Sequence, residues 1–288
     1  MYMLIIVVIR SGRQENMYEN EAWTGKKIAT RDMLRLAVCS DLRRNLLVNL
    51  KEGKKSLWEF RDCLNISSTT AIHALKELEK NNLVFQEKDK SYALTNIGRM
   101  VVLKLLDFSN AAEVMKEHER FWLEHDLSGI PEYMMEKIGW LKDSVLVKNT
   151  EIDIFKVHSN FINLLTNAKE IRGFSPFFIP EFGSLLEMLV FEKNVEIQLL
   201  LTREIKEKLD KEVLKKLLTQ KDIKFKLYII KENAKVAFTV TDYFLSIGFF
   251  HIDGTYDYGN DLISYNKEAI EWGRELFEDL LQLSERVV

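Results

Sequence analysis

The stretch KKSLWEFRDCLNISSTTAIHALKELEKNNLVFQEKDKSYAL, residues 54–94, decides the fold of the first third of the chain. It starts with a short helical pattern that ends at a turn. Ser67 then opens a second helix, because a hydroxyl at this position accepts hydrogen bonds from the free amides of a helix start. Ala71, Leu75 and Leu78 recur at i, i+4 and i+7 in this helix, which predicts one apolar face packed on a core.

Two runs with strand character, residues 83–87 and 91–94, follow the second helix, and the turn Lys88-Asp89-Lys90 joins them. Two helices at a tight turn, followed by a basic-tipped hairpin, are typical of a winged helix-turn-helix. In that fold the second helix enters the major groove of DNA. The hairpin, or wing, is expected to lie against the DNA backbone or minor groove.

The polar side of this predicted fold supplies the candidate DNA contacts. Side chains opposite the apolar face of the second helix are expected to approach base edges or phosphates. The expected contacts are Ser67, Ser68, Thr69, Thr70, His73 and Lys76 in the helix and Lys88, Lys90 and Tyr92 in the wing.

This segment resembles the DNA-binding domain of archaeal and bacterial winged-helix regulators of the ArsR-like type. The matching residues are Ile66-Ser67-Ser68-Thr69-Thr70, His73, Leu75-Lys76-Glu77-Leu78-Glu79, Asn82-Leu83-Val84 and, after the wing, Leu94-Thr95-Asn96-Ile97-Gly98-Arg99. Ile72 departs from the family pattern, which has a small or polar residue there. The resemblance implies DNA binding, and the alternative is a helix-turn-helix used only for protein contacts.

The charge of the 288-residue chain is unevenly distributed. The net charge is −3, but residues 26–104 carry 16 Lys and Arg against 9 Asp and Glu, a net +7, and residues 105–288 are net −9. A basic head on an acidic body indicates a DNA-binding domain joined to one that does not bind DNA. Cys39 and Cys63 form no CxxC pair and are expected to be reduced core thiols in a cytoplasmic protein.

Residues 1–25 are expected to be a tail, disordered or carrying an added strand. Its apolar start, residues 1–9, is shorter than the roughly 20 residues that span a bilayer and lacks the features of a signal peptide. The sequence does not decide between translation starts at Met1 and Met17.

The rest of the chain is predicted to form three parts of an α+β or α/β protein. Residues 26–108 are the winged-helix domain, with a first helix at 32–50 and a closing helix at 95–108. The apolar faces of these two helices exceed what a small domain buries and predict a homodimer. Residues 109–150 are predicted to be a helical connector. Residues 151–288 are predicted to be an α/β ligand-sensing domain, because strand and helix patterns alternate there.

The second half resembles the middle domain of the FilR-type methanogenesis and filamentation regulators of methanogenic archaea. The residues that carry the resemblance are Phe121-Trp122-Leu123-Glu124-His125-Asp126-Leu127, Ile130-Pro131, Ala168-Lys169-Glu170-Ile171-Arg172-Gly173, Leu200-Leu201-Thr202, Val240-Thr241-Asp242, Leu245-Ser246-Ile247-Gly248, Tyr256-Asp257, Asp261-Leu262-Ile263-Ser264 and the run from Ala269 to Phe277. It implies a cytoplasmic transcription regulator whose second domain receives a signal. An acyl-lactone-like signal and a metabolic acid are both compatible with it.

Aromatic and polar residues near the predicted strand ends indicate where a ligand would bind. Ligands of open α/β sheets bind at the carboxyl ends of strands, and Arg172 and Arg203 are expected to meet a carboxylate or phosphate there. The effector would be an organic anion or an amphiphile, and for any single aromatic residue plain core packing is the alternative. The predicted ligand-binding residues are Trp140, Arg172, Phe174, Ser175, Phe177, Thr202, Arg203, Phe238 and Tyr256.

The sequence contains no pattern that predicts catalysis. The hairpin at 234–248 is faintly similar to the phospholipase-D-like sheet, but Asn233 stands where a nucleophilic histidine would precede Lys235, so the transfer chemistry fails. A hydrolase-like enzyme with a regulatory head and a scaffold protein remain the rival classes.

No metal site or cofactor is predicted either. His118 and His125 lie seven residues apart on one predicted helix, which separates them by about 10 Å along its axis, and they are expected on the helix surface or between domains. His251 is isolated in the sequence. Asp253, Asp257 and Asp261 do not have EF-hand spacing and are expected to cap a turn.

Overall fold

The computed structural model describes residues 30–177, 179–219, 223–231 and 234–287, so the predicted tail lies outside the described residues. The chain divides into two compact units that meet between Asp107 and Phe108 in the sequence. No helix in the described ranges combines the length and apolar character needed to cross a bilayer.

The first unit is a winged helix, as predicted. Its elements are α1 (30–38), α2 (Asp41–Asn49), α3 (Leu57–Leu64), α4 (Ser68–Lys80), β1 (Val84–Gln86), β2 (Tyr92–Leu94) and the start of α5 (Asn96–Glu117), which continues into the second unit. The predicted apolar face of α4 is confirmed, because Ala71, Leu75 and Leu78 are all buried, and Leu75 and Leu78 share a core cluster with Leu46 and Phe60.

Capping side chains decide where the helices begin. The Oγ of Ser67 accepts a hydrogen bond from the Thr70 amide at 3.1 Å, as predicted. The Oγ of Ser40 accepts from the Arg43 amide at 3.4 Å, and Ser40 has extended backbone angles. The single helix predicted at 32–50 is therefore wrong, because this N-cap interrupts it and starts α2.

The expectation of core cysteines is also wrong, since Cys39 and Cys63 are both exposed. Cys39 follows the end of α1, and Cys63 lies on the outer face of α3, where its Sγ is 3.5 Å from Asn49 Oδ1. The number of apolar residues in a helix does not show whether one particular position faces the core or the solvent.

The described part of the second unit is a nine-stranded mixed sheet with helices on both faces. The strands follow the order β11-β7-β6-β5-β8-β9-β10-β4, with β3 paired to β9, and only the β5–β6 and β6–β7 pairs are parallel. The strands are β3 (His125–Asp126), β4 (Val145–Lys148), β5 (Glu170–Ser175), β6 (Glu196–Thr202), β7 (Phe225–Ile230), β8 (Val236–Thr241), β9 (Leu245–His251), β10 (Asn260–Ser264) and β11 (Ser284–Arg286). The helices are α6 (Glu119–Glu124), α7 (Glu132–Met135), α8 (Lys156–Leu165), α9 (Glu181–Glu187) with a π-helical turn (Met188–Glu192), α10 (Arg203–Lys208), α11 (Lys211–Thr219) and α12 (Lys267–Gln282).

Each face of the sheet has its own core, because side chains alternate along a strand. Trp272 and Phe277 of α12 pack on one face, in a cluster that contains Leu200. Leu165 of α8 and Leu189 pack on the other face, with Ile197.

The segment 109–150 is not the helical connector that the sequence predicts. It supplies β3 and β4 to the sheet, and Phe121 and Met134 belong to the core cluster beneath α12. Strands of two and four residues are too short to show a period, and they form here because β9 and β10 offer free edges for pairing.

Candidate functional site

Helix α4 presents a polar stripe on the surface of the first unit. Thr69, His73 and Lys76 are exposed and follow each other at i, i+4 and i+7, so they share one side of the helix. Ser68 and Ile72 are half-buried beside it. The stripe therefore has two hydrogen-bonding side chains and one cation free to meet a partner.

Two of the predicted contacts also have a structural role. The Oγ of Ser67 and the Oγ1 of Thr70 lie 2.8 Å apart, and both side chains are exposed at the start of α4. Their hydroxyls therefore hold the helix start and present the amide end of α4, where anions such as phosphates bind favourably.

The wing ends in two exposed lysines, Lys88 and Lys90, with Lys90 in the left-handed region at φ 65°. The acidic residues beside them are paired: Lys54 Nζ lies 3.1 Å from Glu87 and 2.7 Å from Asp89. Hydrogen bonds from Lys54 and Ser91 hold the pKa of Asp89 well below its usual range. Lys54, Lys88 and Lys90 together outnumber the two carboxylates Glu87 and Asp89, so the wing turn keeps a net positive charge.

The prediction that Tyr92 contacts DNA is wrong. Tyr92 is only 5% exposed and belongs to the core of the first unit. Its backbone forms two hydrogen bonds with Lys55, which fix the ring on the inner face of the hairpin.

The second unit contains a cavity of about 600 Å³ between the sheet and the helices α8 and α9. Its wall is mainly leucine, isoleucine and phenylalanine. Its polar side chains include Asn149, His158, Ser175, Glu181, Thr239, Ser246, Asp257 and Asp261. This size and this mixture of an apolar wall with few polar groups are typical of small-molecule sites.

The structure brings together part of the predicted ligand site. The members at the cavity are Phe174, Ser175, Phe177, Phe238 and Tyr256, but the rings of Phe174 and Phe238 pack in the core cluster with Trp272 on the other face of the sheet. Leu201, near the carboxyl end of β6, lies beside them. These positions remain predicted ligand contacts.

Four predicted ligand residues do not line the cavity. Trp140 packs against the opposite core, with Lys137 Nζ 4.9 Å from its ring centre. Thr202 caps α10 by accepting from the Ile205 amide. Arg203 lies in a separate groove with Lys206.

Arg172 is the fourth, and its guanidinium is already paired. It lies 2.7 Å from Glu170 and 2.9 Å from Glu278 of α12. Residue Arg172 follows Ile171 on the strand, and Ile171 faces the cavity, so alternation turns Arg172 to the other face.

The charge of the cavity lining differs from the expectation of an anionic ligand. None of the described lining residues is Lys or Arg, whereas Glu181, Asp257 and Asp261 are acidic. An anion entering this cavity would lose hydration without gaining a cationic partner. The lining therefore favours a neutral amphiphile.

Asp261 is a buried carboxyl group at the cavity. Only 6% of the residue is exposed, and burial raises its pKa to about 7, although hydrogen bonding from Ser246 acts in the opposite direction. Near neutral pH Asp261 is therefore partly in its protonated, uncharged form.

Aromatic rings form one border of the cavity. Phe177 lies 4.3 Å from Tyr256 and 5.4 Å from Tyr258, between ring centres. A Cβ on Gly248 would lie 2.1 Å from the Tyr256 hydroxyl, so only glycine admits the ring in this position.

A cluster of three side chains that sequence reasoning missed lies next to this border. His125 Nε2 is 3.0 Å from Asp257 Oδ2, and His251 Nε2 is 3.8 Å from Asp257 Oδ1. The two imidazole rings stack with centres 4.9 Å apart. Their positions in the sequence carry no signal for this contact, which depends on the pairing of β3 with β9.

The predicted surface positions of His118 and His125 are also wrong, since both are buried. His118 Nε2 lies 3.2 Å from the Ser144 carbonyl oxygen. Burial acts to lower the pKa of His125, but the hydrogen bonds to Asp257 and to the Phe121 carbonyl outweigh it and raise that pKa.

These features define a two-unit protein with a winged helix followed by a mixed α/β unit. Models of the N-terminal domain and the middle domain of the methanogenesis regulatory protein FilR1 match residues 31–111 and 154–283. The chain therefore matches both of these FilR1 domains, which confirms the resemblance seen in the sequence.

The comparisons also identify individual similar proteins. The chain is 29% identical over 261 residues to the methanogenesis regulatory protein FilR1 of Methanothrix harundinacea (strain 6Ac), a match that covers 88% of this chain and 58% of the relative. The chain therefore spans little more than half the length of that relative.

Two solved structures show a looser similarity. The archaeal chromatin protein TrmBL2 is 15% identical, with 84% of this chain and 91% of that chain covered and a TM-score of 0.41. Nuc of Salmonella typhimurium, a phospholipase D family member, is 12% identical, with 50% and 97% covered and a TM-score of 0.38. These low TM-scores carry no functional conclusion.

Proposed function

We propose that this protein is a cytoplasmic DNA-binding transcription regulator that acts as a homodimer and responds to a neutral amphiphile bound in its α/β unit. The observation that carries the proposal is the exposed stripe Thr69, His73 and Lys76 on α4, together with the wing lysines of the same unit. The match to both FilR1 domains supports a regulatory role.

The stripe fits the readout of DNA in the major groove. Threonine hydroxyls and the histidine ring offer hydrogen bonds to base edges, and Lys76 offers a cation to a guanine edge or a phosphate. Lys88 and Lys90 would meet phosphates, which adds affinity that falls with salt. Ile72 contributes at most an apolar contact, because it is half-buried.

Exposed apolar side chains on the helices that flank the winged helix support the dimer. Met100 and Leu103 of α5 are 61% and 50% exposed, and Leu34 of α1 is 57% exposed. A second subunit covering them would present a second α4 and double the DNA site.

The cavity supports the effector-binding role. An amphiphile would place its apolar body along Leu186 and Leu199 and its polar head near Asp261 and Ser246. It would change DNA affinity only if it bound the two DNA-binding states unequally, and such coupling is typically about 1–3 kcal/mol.

A catalytic role is not part of the proposal. Lys235 is the lysine of the phospholipase-D-like pattern, and its Nζ lies 5.1 Å from the ring centre of Phe250. Asn233, which stands where that pattern has a histidine, lies outside the described residues.

The proposal is tested by a gel shift with the DNA upstream of the protein's own gene at two salt concentrations. We expect specific retardation that competitor DNA of random sequence does not remove and that weakens with salt. No binding at low salt would favour the alternative of a scaffold that uses the winged helix for protein contacts, and equal binding of both DNAs would contradict a sequence-specific regulator.

A further inference from the structure

The side chains of His125, His251 and Asp257 converge although 132 residues separate the first from the last. One potential metal-ligand atom from each lies within 4.8 Å of the other two. We propose that they form a binding site for a divalent transition-metal ion of the zinc type. This inference is independent of the proposed regulatory function.

The distances suit ligands of one small ion. Zinc bonds of about 2.0–2.1 Å to imidazole nitrogen and carboxylate oxygen place tetrahedral ligand atoms about 3.3 Å apart. His125 Nε2 lies 3.0 Å from Asp257 Oδ2 and His251 Nε2 lies 3.8 Å from Asp257 Oδ1, so each imidazole is close to that value from one of the two oxygens of the same carboxylate. Two imidazoles and one carboxylate are also the ligand types that zinc and its neighbours accept in proteins.

Second-layer hydrogen bonds orient two of the three ligands. The Nδ1 of His125 lies 2.5 Å from the Phe121 carbonyl oxygen, an acceptor that holds the proton on Nδ1 and leaves Nε2 for a metal. Asp257 accepts from the Gly259 amide at 2.8 Å and from Asn260 Nδ2 at 2.7 Å. Such outer partners fix the geometry of metal ligands.

The site has access and an open coordination position. The side chain of His251 is 38% exposed, whereas those of His125 and Asp257 are 1% and 7% exposed. An ion can therefore enter from the solvent side, at His251. Three protein ligands leave a fourth tetrahedral position for water or another donor.

The competing interpretation is a buried ion pair of protonated His125 and Asp257, with His251 only stacked against it. That interpretation explains the 3.0 Å contact but gives His251 Nε2 no hydrogen bond to Asp257, since 3.8 Å is too long. A metal ion explains why both imidazoles lie against the same carboxylate.

A bound ion would link β3, the end of β9 and the loop that carries Asp257. Tyr256 and Tyr258 on either side of Asp257 border the cavity, and Asp257 itself lines it. The ion would therefore hold the aromatic border of the cavity in place.

The test is a titration of the full chain, purified without a histidine tag, with Co²⁺ as a spectroscopic substitute for Zn²⁺. We expect the visible absorption of four-coordinate Co²⁺ to reach its maximum at one equivalent and to disappear when Zn²⁺ is added. His251→Ala should abolish the absorption band, and its half-exposed position means that the fold tolerates the change. Asn260→Ala should weaken binding by about 10–100-fold, the usual effect of losing an outer partner.

His158→Ala is the matched control, because His158 is also a half-buried histidine of the second unit but lies outside the cluster. It should titrate as the wild type does. A wild-type chain without the band, or a His251→Ala variant with an unchanged band and affinity, would overturn the metal site and leave the buried ion pair.

Discussion

The hydroxyl of Ser246 lies 2.9 Å and 2.8 Å from the two carboxyl oxygens of Asp261. A hydroxyl has one proton, so it cannot donate fully to both oxygens of an ionised carboxylate. A protonated carboxyl resolves this, because it donates its own proton to Ser246 and accepts the hydroxyl proton on the other oxygen. This geometry agrees with the pKa of about 7 that burial produces at Asp261.

The first prediction is that the stabilisation supplied by Asp261 falls as pH rises. The folded pKa of Asp261 is about 7 and its ordinary value is 3.8, so Asp261 stays protonated in the folded state between these values and its stabilising contribution is lost through that range. The loss by pH 8 is at most about 4 kcal/mol, because each tenfold difference in proton affinity between the folded and unfolded states is worth about 1.4 kcal/mol. Asp261→Asn should flatten the dependence when urea unfolding is measured between pH 4 and pH 8.

Asp153→Asn, a change at an exposed carboxylate, is the control and should keep the wild-type slope. An Asp261→Asn variant with that same slope would show that Asp261 ionises normally.

The second prediction concerns the DNA face of α4. Lys76→Ala should weaken specific binding by about 1–3 kcal/mol and relax one base preference if Lys76 reads a base, or reduce the salt slope by about one if it meets a phosphate. Lys88→Ala should reduce the salt slope by about one without changing a base preference. Both are measured by fluorescence anisotropy over a salt series.

The matched control is Lys104→Ala, an exposed lysine of α5 away from the polar stripe. Unchanged affinity in a Lys76→Ala, Lys88→Ala double variant would rule out this face as the DNA surface.

The third prediction is that the apolar surface of α5 forms the dimer. Met100→Glu combined with Leu103→Glu should shift the protein from dimer to monomer in sedimentation velocity, because two charges per subunit would be desolvated at the interface. Leu123→Glu, at a position 70% exposed in the second unit, should remain dimeric. A wild-type monomer at micromolar concentration, with and without DNA, would contradict the dimer itself.

The fourth prediction is that the cavity accepts a neutral apolar molecule. N-phenyl-1-naphthylamine, a neutral fluorophore, should brighten on binding the wild type, and an anionic naphthalene sulfonate should bind more weakly because the described lining has no cation. Leu186→Trp should reduce the signal by filling the cavity. Leu283→Trp, at an exposed position, should not. Equal signals from both variants would place the fluorophore elsewhere.

The fifth prediction concerns the aromatic border. Gly248→Ala should lower the free energy of unfolding by about 1–3 kcal/mol, the usual cost of an extra buried group, because the new Cβ meets the Tyr256 hydroxyl. Adding Tyr256→Phe removes that hydroxyl and should recover part of the loss in urea unfolding. If the double variant is no more stable than Gly248→Ala alone, the clash lies elsewhere.

Local sequence was sufficient for the winged helix. The cap at Ser67, the apolar spacing of Ala71, Leu75 and Leu78, and the hairpin after Asn82 act over a few residues, so they can be recognised without knowing the fold. The alternation of strands and helices in the second half likewise predicted an α/β unit, and the quoted residue matches indicated the similarity to FilR-type regulators.

Only the tertiary structure decided which polar side chains are free. The sequence predicted that Tyr92 contacts DNA and that Arg172 contacts a ligand. In the structure Tyr92 is buried, and Arg172 is paired with Glu170 and Glu278. The choice depends on which face of a strand meets the core, and a one-residue change of register reverses it.

The same limit applies to the side chains of the proposed metal site. His125 lies on a two-residue strand and Asp257 in a distant loop, and the pairing of β3 with β9 brings them to 3.0 Å. The sequence determined the local elements, because their causes are short-range. Tertiary structure alone decided the cavity lining and the His–Asp cluster, because contacts between distant residues depend on how the whole sheet is assembled.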